Sequence, residues 1–175
     1  MNDCIAFDLS LTNTGVAQFD SEFPHVISRS SIVSPKAFFG LHRIDFITTE
    51  VIAYCVEKRR LIAFEGLSFG SRDTNQERAG LAFCIRLELY RRGIAFLLVP
   101  PATLKKFVTG KGNAEKSIVI KEVYKRWGVE CADDNQADAV GLLQLLRCYH
   151  GDLEPTTEAQ RDVIRKLKGN QATGE

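Results

Sequence analysis

Residues 4–19, CIAFDLSLTNTGVAQF, hold an apolar run that ends in an acid, a turn rich in small hydroxyl residues, and a second apolar run. The first run, residues 4–9, reads as a buried strand carrying Asp8 near its end, and residues 15–19 read as its partner. Residues 25–33 give a third strand after the turn-rich stretch 20–24, so the first thirty-three residues form an expected meander.

Outward from this hairpin the pattern alternates. Ser34-Pro35 supplies a helix cap followed by proline at the first helical position, and Leu41, Ile44, Ile47, Val51 and Cys55 recur at helical spacing. Residues 61–65, LIAFE, form a continuous apolar run ending in Glu65, the pattern of a strand covered on both faces. After a polar loop, Ala79, Phe83, Leu87 and Tyr90 share one helical face, and Gly93 ends that helix. Residues 94–99 give another buried strand, closed by Pro100-Pro101. Val119, Val123 and Trp127 predict a helix over 114–127, and a last strong helix covers about 135–149. The expectation is an α/β domain over residues 1–150, with a mixed five-stranded sheet and helices on both faces. Residues 151–175 read as a polar tail in which Thr157 and Gln160 suit a capping box for a short helix.

Composition restricts the function. A chain of 175 residues, 45% hydrophobic, is long enough for one core. Net charge of +1 excludes a protein that packs nucleic acid by average charge, yet residues 101–128 hold seven basic residues against two acidic ones, a local +5. Five cysteines without a Cys-x-x-Cys pair fit neither a disulfide framework nor a zinc site and suit a reducing, cytoplasmic setting. No signal peptide or membrane span is expected.

The acids carry the chemistry. Asp8 and Glu65 end buried strands, and Asp133, Asp134 and Asp138 stand at the start of the last helix. Asp138 shares the apolar stripe of Leu142, Leu145 and Tyr149, and Asp134 lies four residues before it on roughly the same side. A buried carboxylate is costly unless paired or bound to a cation, so four acids, Asp8, Glu65, Asp134 and Asp138, are expected to converge as catalytic residues and metal ligands. Oxygen donors of this kind suit Mg2+, with Mn2+ as a substitute, and two such ions serve phosphodiester hydrolysis without an amino-acid nucleophile. The plainer alternatives are an Asp8 that caps its own turn, a Glu65 paired with Arg59, Arg60 or Arg72, and an Asp134 that caps its helix, with Asp133 solvated. The basic run reads as a phosphate track.

The order of these segments resembles the RuvC-type Holliday junction resolvases of the ribonuclease H-like superfamily. IAFDLSLTNTGVA resembles the family's first strand and turn, LIAFEGLSFG the strand of its second acid, VPPATLKKFVTGKGNAEKSIVI its basic loop and helix, and DDNQADAVGLL its acidic helix. The resemblance implies a ribonuclease H-like sheet of a three-strand meander plus two parallel strands. It also implies a Mg2+-dependent, homodimeric endonuclease that cuts four-way or branched DNA in pairs. Lys111 and Lys116 stand at matching places, and with Lys105, Lys106, Phe69 and Arg72 they are the candidate DNA contacts. Asn135 stands where the family commonly has its penultimate acid, so Asp134 is taken in its place. Three other readings compete with this one. A ribonuclease H or proofreading exonuclease would want a second acid at Ser10, a sugar kinase or actin-like ATPase needs far more chain, and an inactive junction-binding protein has no reason to keep Asp8, Glu65 and Asp138.

Overall fold

The computed structural model describes residues 1–57, 60–66 and 76–171. Five strands, β1 (Cys4–Asp8), β2 (Asn13–Phe19), β3 (Ile27–Val33), β4 (Leu61–Glu65) and β5 (Leu97–Val99), form one sheet in the order β3-β2-β1-β4-β5. The first three pair antiparallel as a meander, while β1 with β4 and β4 with β5 run parallel. This is the mixed α/β sheet expected from the sequence.

Helices cover both faces. On one side lie α1 (Gly40–Glu57) and α2 (Gln76–Arg91); on the other lies α5 (Asp134–His150), backed by α3 (Pro101–Thr109), α4 (Lys116–Trp127) and α6 (Glu158–Gln171). The two core halves follow from strand pleating, which sends successive side chains to opposite faces. Ile5, Phe7, Ile62 and Phe64 enter the α1/α2 half, whereas Cys4, Ala6, Leu61 and Ala63 face α5. Asp8 continues the second series in β1, and Glu65 continues it in β4. The small side chains Ala6, Ala17 and Ala63 let α5 lie close to the sheet, where it is buried along most of its length from Ala137 to Cys148.

Several elements differ from expectation, each for a local reason. Helix α1 begins at Gly40 and not at Ser34-Pro35, because the Ser34 amide donates to the Thr12 carbonyl and residues 35–38 close a turn. Strand β5 is shortened because the Ile94 amide is taken by the Leu89 carbonyl behind the left-handed Gly93 (φ 65°). Helix α3 was not anticipated: Pro101 starts it at a position where proline has no amide to lose, and left-handed Gly110 ends it.

In α2 the apolar face noted in the sequence is the outer one. Leu81, Ala82, Ile85 and Leu89 are the buried residues, while Phe83, Leu87 and Tyr90 are 62%, 48% and 80% exposed. The helix carries apolar residues on two stripes, and Gly80 of the inner side lies close to α1, where an added Cβ would sit 3.5 Å from Ile44 Cδ1, an ordinary contact.

The polar tail also gains structure. Thr157 Oγ1 accepts from the Gln160 amide, and Gln160 Oε1 accepts from the Thr156 and Thr157 amides, a complete capping box. It starts α6, whose Val163 and Ile164 are buried against the α3/α5 layer. No helix among the described residues is long and apolar enough to cross a membrane.

Candidate active site

Strands β1 and β4 run parallel and end side by side, and Asp8 and Glu65 are their last residues. The carboxyl ends of parallel strands are where open α/β sheets place their ligands. The same pleat parity turns both acids towards α5, which supplies the third.

The first turn of α5 is anchored by four hydrogen bonds. Asp133 caps the helix through its Oδ1, which accepts from the Gln136 amide at 2.8 Å, and its Oδ2 accepts from Asn13 Nδ2 at 2.6 Å. Asn135 Nδ2 donates to the Asn13 carbonyl at 2.6 Å, and Gln136 Nε2 donates to Ser31 Oγ at 3.1 Å. Asp133, expected to be solvated, is therefore the cap, and the β2–β3 hairpin end holds the helix in register. One turn further on, Asp138 meets the strand ends.

Asp8, Glu65 and Asp138 each present an oxygen within 4.8 Å of the others. Asp8 is 4% exposed. Burial, then the charge of Glu65 and a hydrogen bond with it, then the charge of Asp138, hold the Asp8 carboxyl well above the usual range, against an opposing pull from Arg78. Burial and the charges of Glu65 and Asp134 push Asp138 up to about 7, opposed by Lys105 and Lys116. Such shifts are the mark of carboxylates gathered without a counter-ion. Among the described residues, Asp8 Oδ1 and Asp138 Oδ1 are buried with no hydrogen-bond partner. Hard oxygen donors with unused lone pairs match a divalent cation of the magnesium type, so the residues present fit such an ion.

Asp134 is not part of this trio. Its Oδ2 accepts from Lys116 Nζ, which holds its carboxyl below the ordinary value. Around the site, Lys105 and Lys116 contribute positive charge from the α3/α4 side, and Lys111 is exposed in the loop between those helices. Lys106 turns the other way and pairs with Asp162 of α6. Arg78, in the first turn of α2, adds charge from the opposite side; its sequence position after a polar loop gave no sign of this. Phe69 and Arg72 lie outside the described residues, as does Arg59. Arg60 is at the far end of β4, bonded to Gln18 Oε1 at 2.6 Å, and does not pair with Glu65. A cavity of about 310 Å³ lined by Gln18, Phe19, Phe23 and Arg60 also lies at that far end and contains none of the three acids.

No family model and no curated protein matches this chain. Solved structures do. The Thermus thermophilus RuvC structure superposes with a TM-score of 0.62 at 17% identity, covering 84% of this chain and 96% of that one. T. thermophilus RuvC in complex with Holliday junction substrate gives 0.67 at 15% identity, covering 86% and 95%. The chain has the RuvC fold. The match to RuvC covers most of this chain and nearly all of RuvC, so the fold is shared along that length. The acid trio described above belongs to this RuvC-like framework, at the ends of its central strands.

Proposed function

We propose that this chain is a Mg2+-dependent, structure-selective endonuclease that resolves four-way and related branched DNA by paired phosphodiester cuts. On this reading it acts as a homodimer in the cytoplasm of a bacterial cell or a phage-infected host. The observation that carries the reading is the convergence of Asp8, Glu65 and Asp138 at the carboxyl ends of β1 and β4, with two buried carboxylate oxygens left unpartnered among the described residues. That the same fold has been solved with a Holliday junction bound to RuvC supports the choice of substrate.

The three carboxylates would hold the cations. Two bound ions supply Lewis-acid stabilisation of the attacking and leaving oxygens during phosphodiester hydrolysis. The protein's own residues prepare for this. Burial keeps the carboxylates poorly solvated, so Asp8 and Asp138 would hold an ion as carboxylates and a proton in its absence. Lys105, Lys111 and Lys116 on one side and Arg78 on the other bind and orient phosphates. Phe69 and Arg72, which follow β4 in the sequence, are the proposed contacts to the junction arms. Lys106, held by Asp162, contributes less to the track than its neighbours.

Two symmetric cuts need two copies of one site. The exposed Phe83, Leu87 and Tyr90 stripe of α2 supports a self-complementary interface, since the same helix begins beside the acids with Arg78.

The test is cleavage of a labelled four-way junction beside a linear duplex of the same sequence, in Mg2+ and in EDTA, with Asp138→Asn as control. Paired cuts confined to the junction and abolished by EDTA and by the substitution are expected. Tight binding without cutting would favour an inactive junction-binding protein, and neither binding nor cutting would leave only a shared fold.

A further inference from the structure

Four acids were expected to converge, and the structure sorts them into three and one. Asp8, Glu65 and Asp138 bring oxygens within 4.8 Å of one another. Asp134, the first residue of α5, instead engages Lys116, the first residue of α4, and its side chain is 29% exposed. Its neighbour Asn135 is also committed, through its bond to the Asn13 carbonyl. Neither residue of this turn therefore adds a free carboxylate to the trio.

The pair has a physical logic of its own. A carboxylate in the first turn of a helix is favoured by the helix dipole, and α5 is fixed at that end by the Asp133 cap and the Asn13 and Ser31 contacts, so Asp134 is a stationary anchor. Lys116 has no such support. A lysine in a first turn opposes the dipole of its own helix, and its flexible stem would otherwise roam in solvent. Asp134 occupies one of its three N–H donors. The side chain is 73% exposed, which leaves the other donors open to solvent. The ammonium so held is close enough for its charge to be felt by Asp8 and Asp138.

We propose that Asp134 is a positioning residue that pins the Lys116 ammonium beside a three-carboxylate site, where its remaining donors meet a phosphate oxygen of the bound nucleic acid, and that Asp134 is not an ion ligand. The identity of the phosphate rests on the nuclease reading above. The division between Asp134 and the trio does not.

Mn2+ affinity, measured by calorimetry in the intact protein, separates the roles. Lys116→Met serves as the background, because it removes the ammonium that Asp134→Asn would otherwise release to compete with the ion. There, Asp134→Asn is expected to change Mn2+ affinity by less than about threefold, and Asp138→Asn to lower it by about tenfold or more. A tenfold loss with Asp134→Asn would overturn the proposal. A second readout is the 1H–15N signal of the Lys116 ammonium without metal. It should be ordered in the wild type and lost in Asp134→Asn, and its persistence in that variant would also overturn the proposal. Junction affinity completes the cycle: Lys116→Met and Asp134→Asn should weaken it by similar factors, with the double variant no worse than the single ones, whereas additive losses count against a shared role. If the wild type bound no Mn2+, the metal reading would fail, while the ammonium signal would still decide whether Asp134 pins Lys116.

Discussion

Gly15 of β2 and Asn135 of α5 are in backbone contact: a Cβ built on Gly15 would lie 2.1 Å from the Asn135 carbonyl oxygen. The obstacle is main chain on an anchored helix end, so no side-chain rotation relieves it. Gly15→Ala should therefore push the start of α5 off the sheet, lowering stability by about 1–3 kcal/mol or more and spoiling the alignment of Asp138 with Asp8. Chemical denaturation and Mn2+ binding measure the two effects. An alanine variant with unchanged stability would mean that the helix can move freely.

Asp138 predicts a pH dependence of the metal-free protein. Its carboxyl titrates at about 7 in the folded state against an ordinary value of 3.8, so between those values the folded protein holds a proton that the unfolded chain has lost. Stability in EDTA should be greatest at the acid end of that window with respect to this group, and fall as the pH rises towards 7. Asp8, shifted in the same direction, adds to the trend. Asp138→Asn should consequently be more stable to chemical denaturation than the wild type in EDTA near pH 8, by on the order of 2–4 kcal/mol, with the gap closing near pH 4. A variant less stable than the wild type at both pH values would contradict the charge-crowding account.

Arg78 should matter for nucleic-acid binding without being needed for the fold. It is exposed, and its charge reaches Asp8 from the α2 side. Arg78→Gln is expected to weaken junction binding and to reduce the slope of log affinity against log salt by about 1, the signature of one lost phosphate contact. An unchanged slope would remove Arg78 from the interface.

The exposed stripe of α2 predicts an oligomeric state. Leu87→Glu would place a charge in the middle of Phe83, Leu87 and Tyr90, and sedimentation should show a wild-type dimer and a variant monomer. Cys84, exposed on the same helix, gives an independent check through copper-catalysed cross-linking of the wild type. A wild type that is monomeric at micromolar concentration would defeat the proposed interface.

Much of this was readable from residue order. The runs at 4–8 and 61–65 are short, continuous and apolar, and each ends in an acid, so the strands and the places of Asp8 and Glu65 were both legible. Asp138 was legible because an acid on the apolar stripe of a helix requires a partner. Helix α2 was not, since Phe83, Leu87 and Tyr90 have the same spacing a buried stripe would have, as do Leu81, Ile85 and Leu89, and spacing does not say which of two apolar stripes goes inward. Asp134 and Asp138 also share a helix face, but periodicity carries no information about Lys116, eighteen residues earlier, which captures the first and leaves the second free. Arg78 left no trace in the pattern, because a polar residue in a first helical turn is ordinary.

The alternation of the strands has a consequence for how the gene can change. Cys4, Ala6 and Asp8 face α5 while Ile5 and Phe7 face away, and β4 repeats the arrangement through Leu61, Ala63 and Glu65. Loss or gain of a single codon within either strand would exchange the two sets, delivering an acid into a greasy interior and a phenylalanine ring to the cluster of acids. Such a lineage has no gradual path back. Point substitutions can drift through these segments, whereas an odd length change must be absorbed by a bulge or fall in the turns between them, so the phase of two five-residue strands is an inherited quantity in its own right.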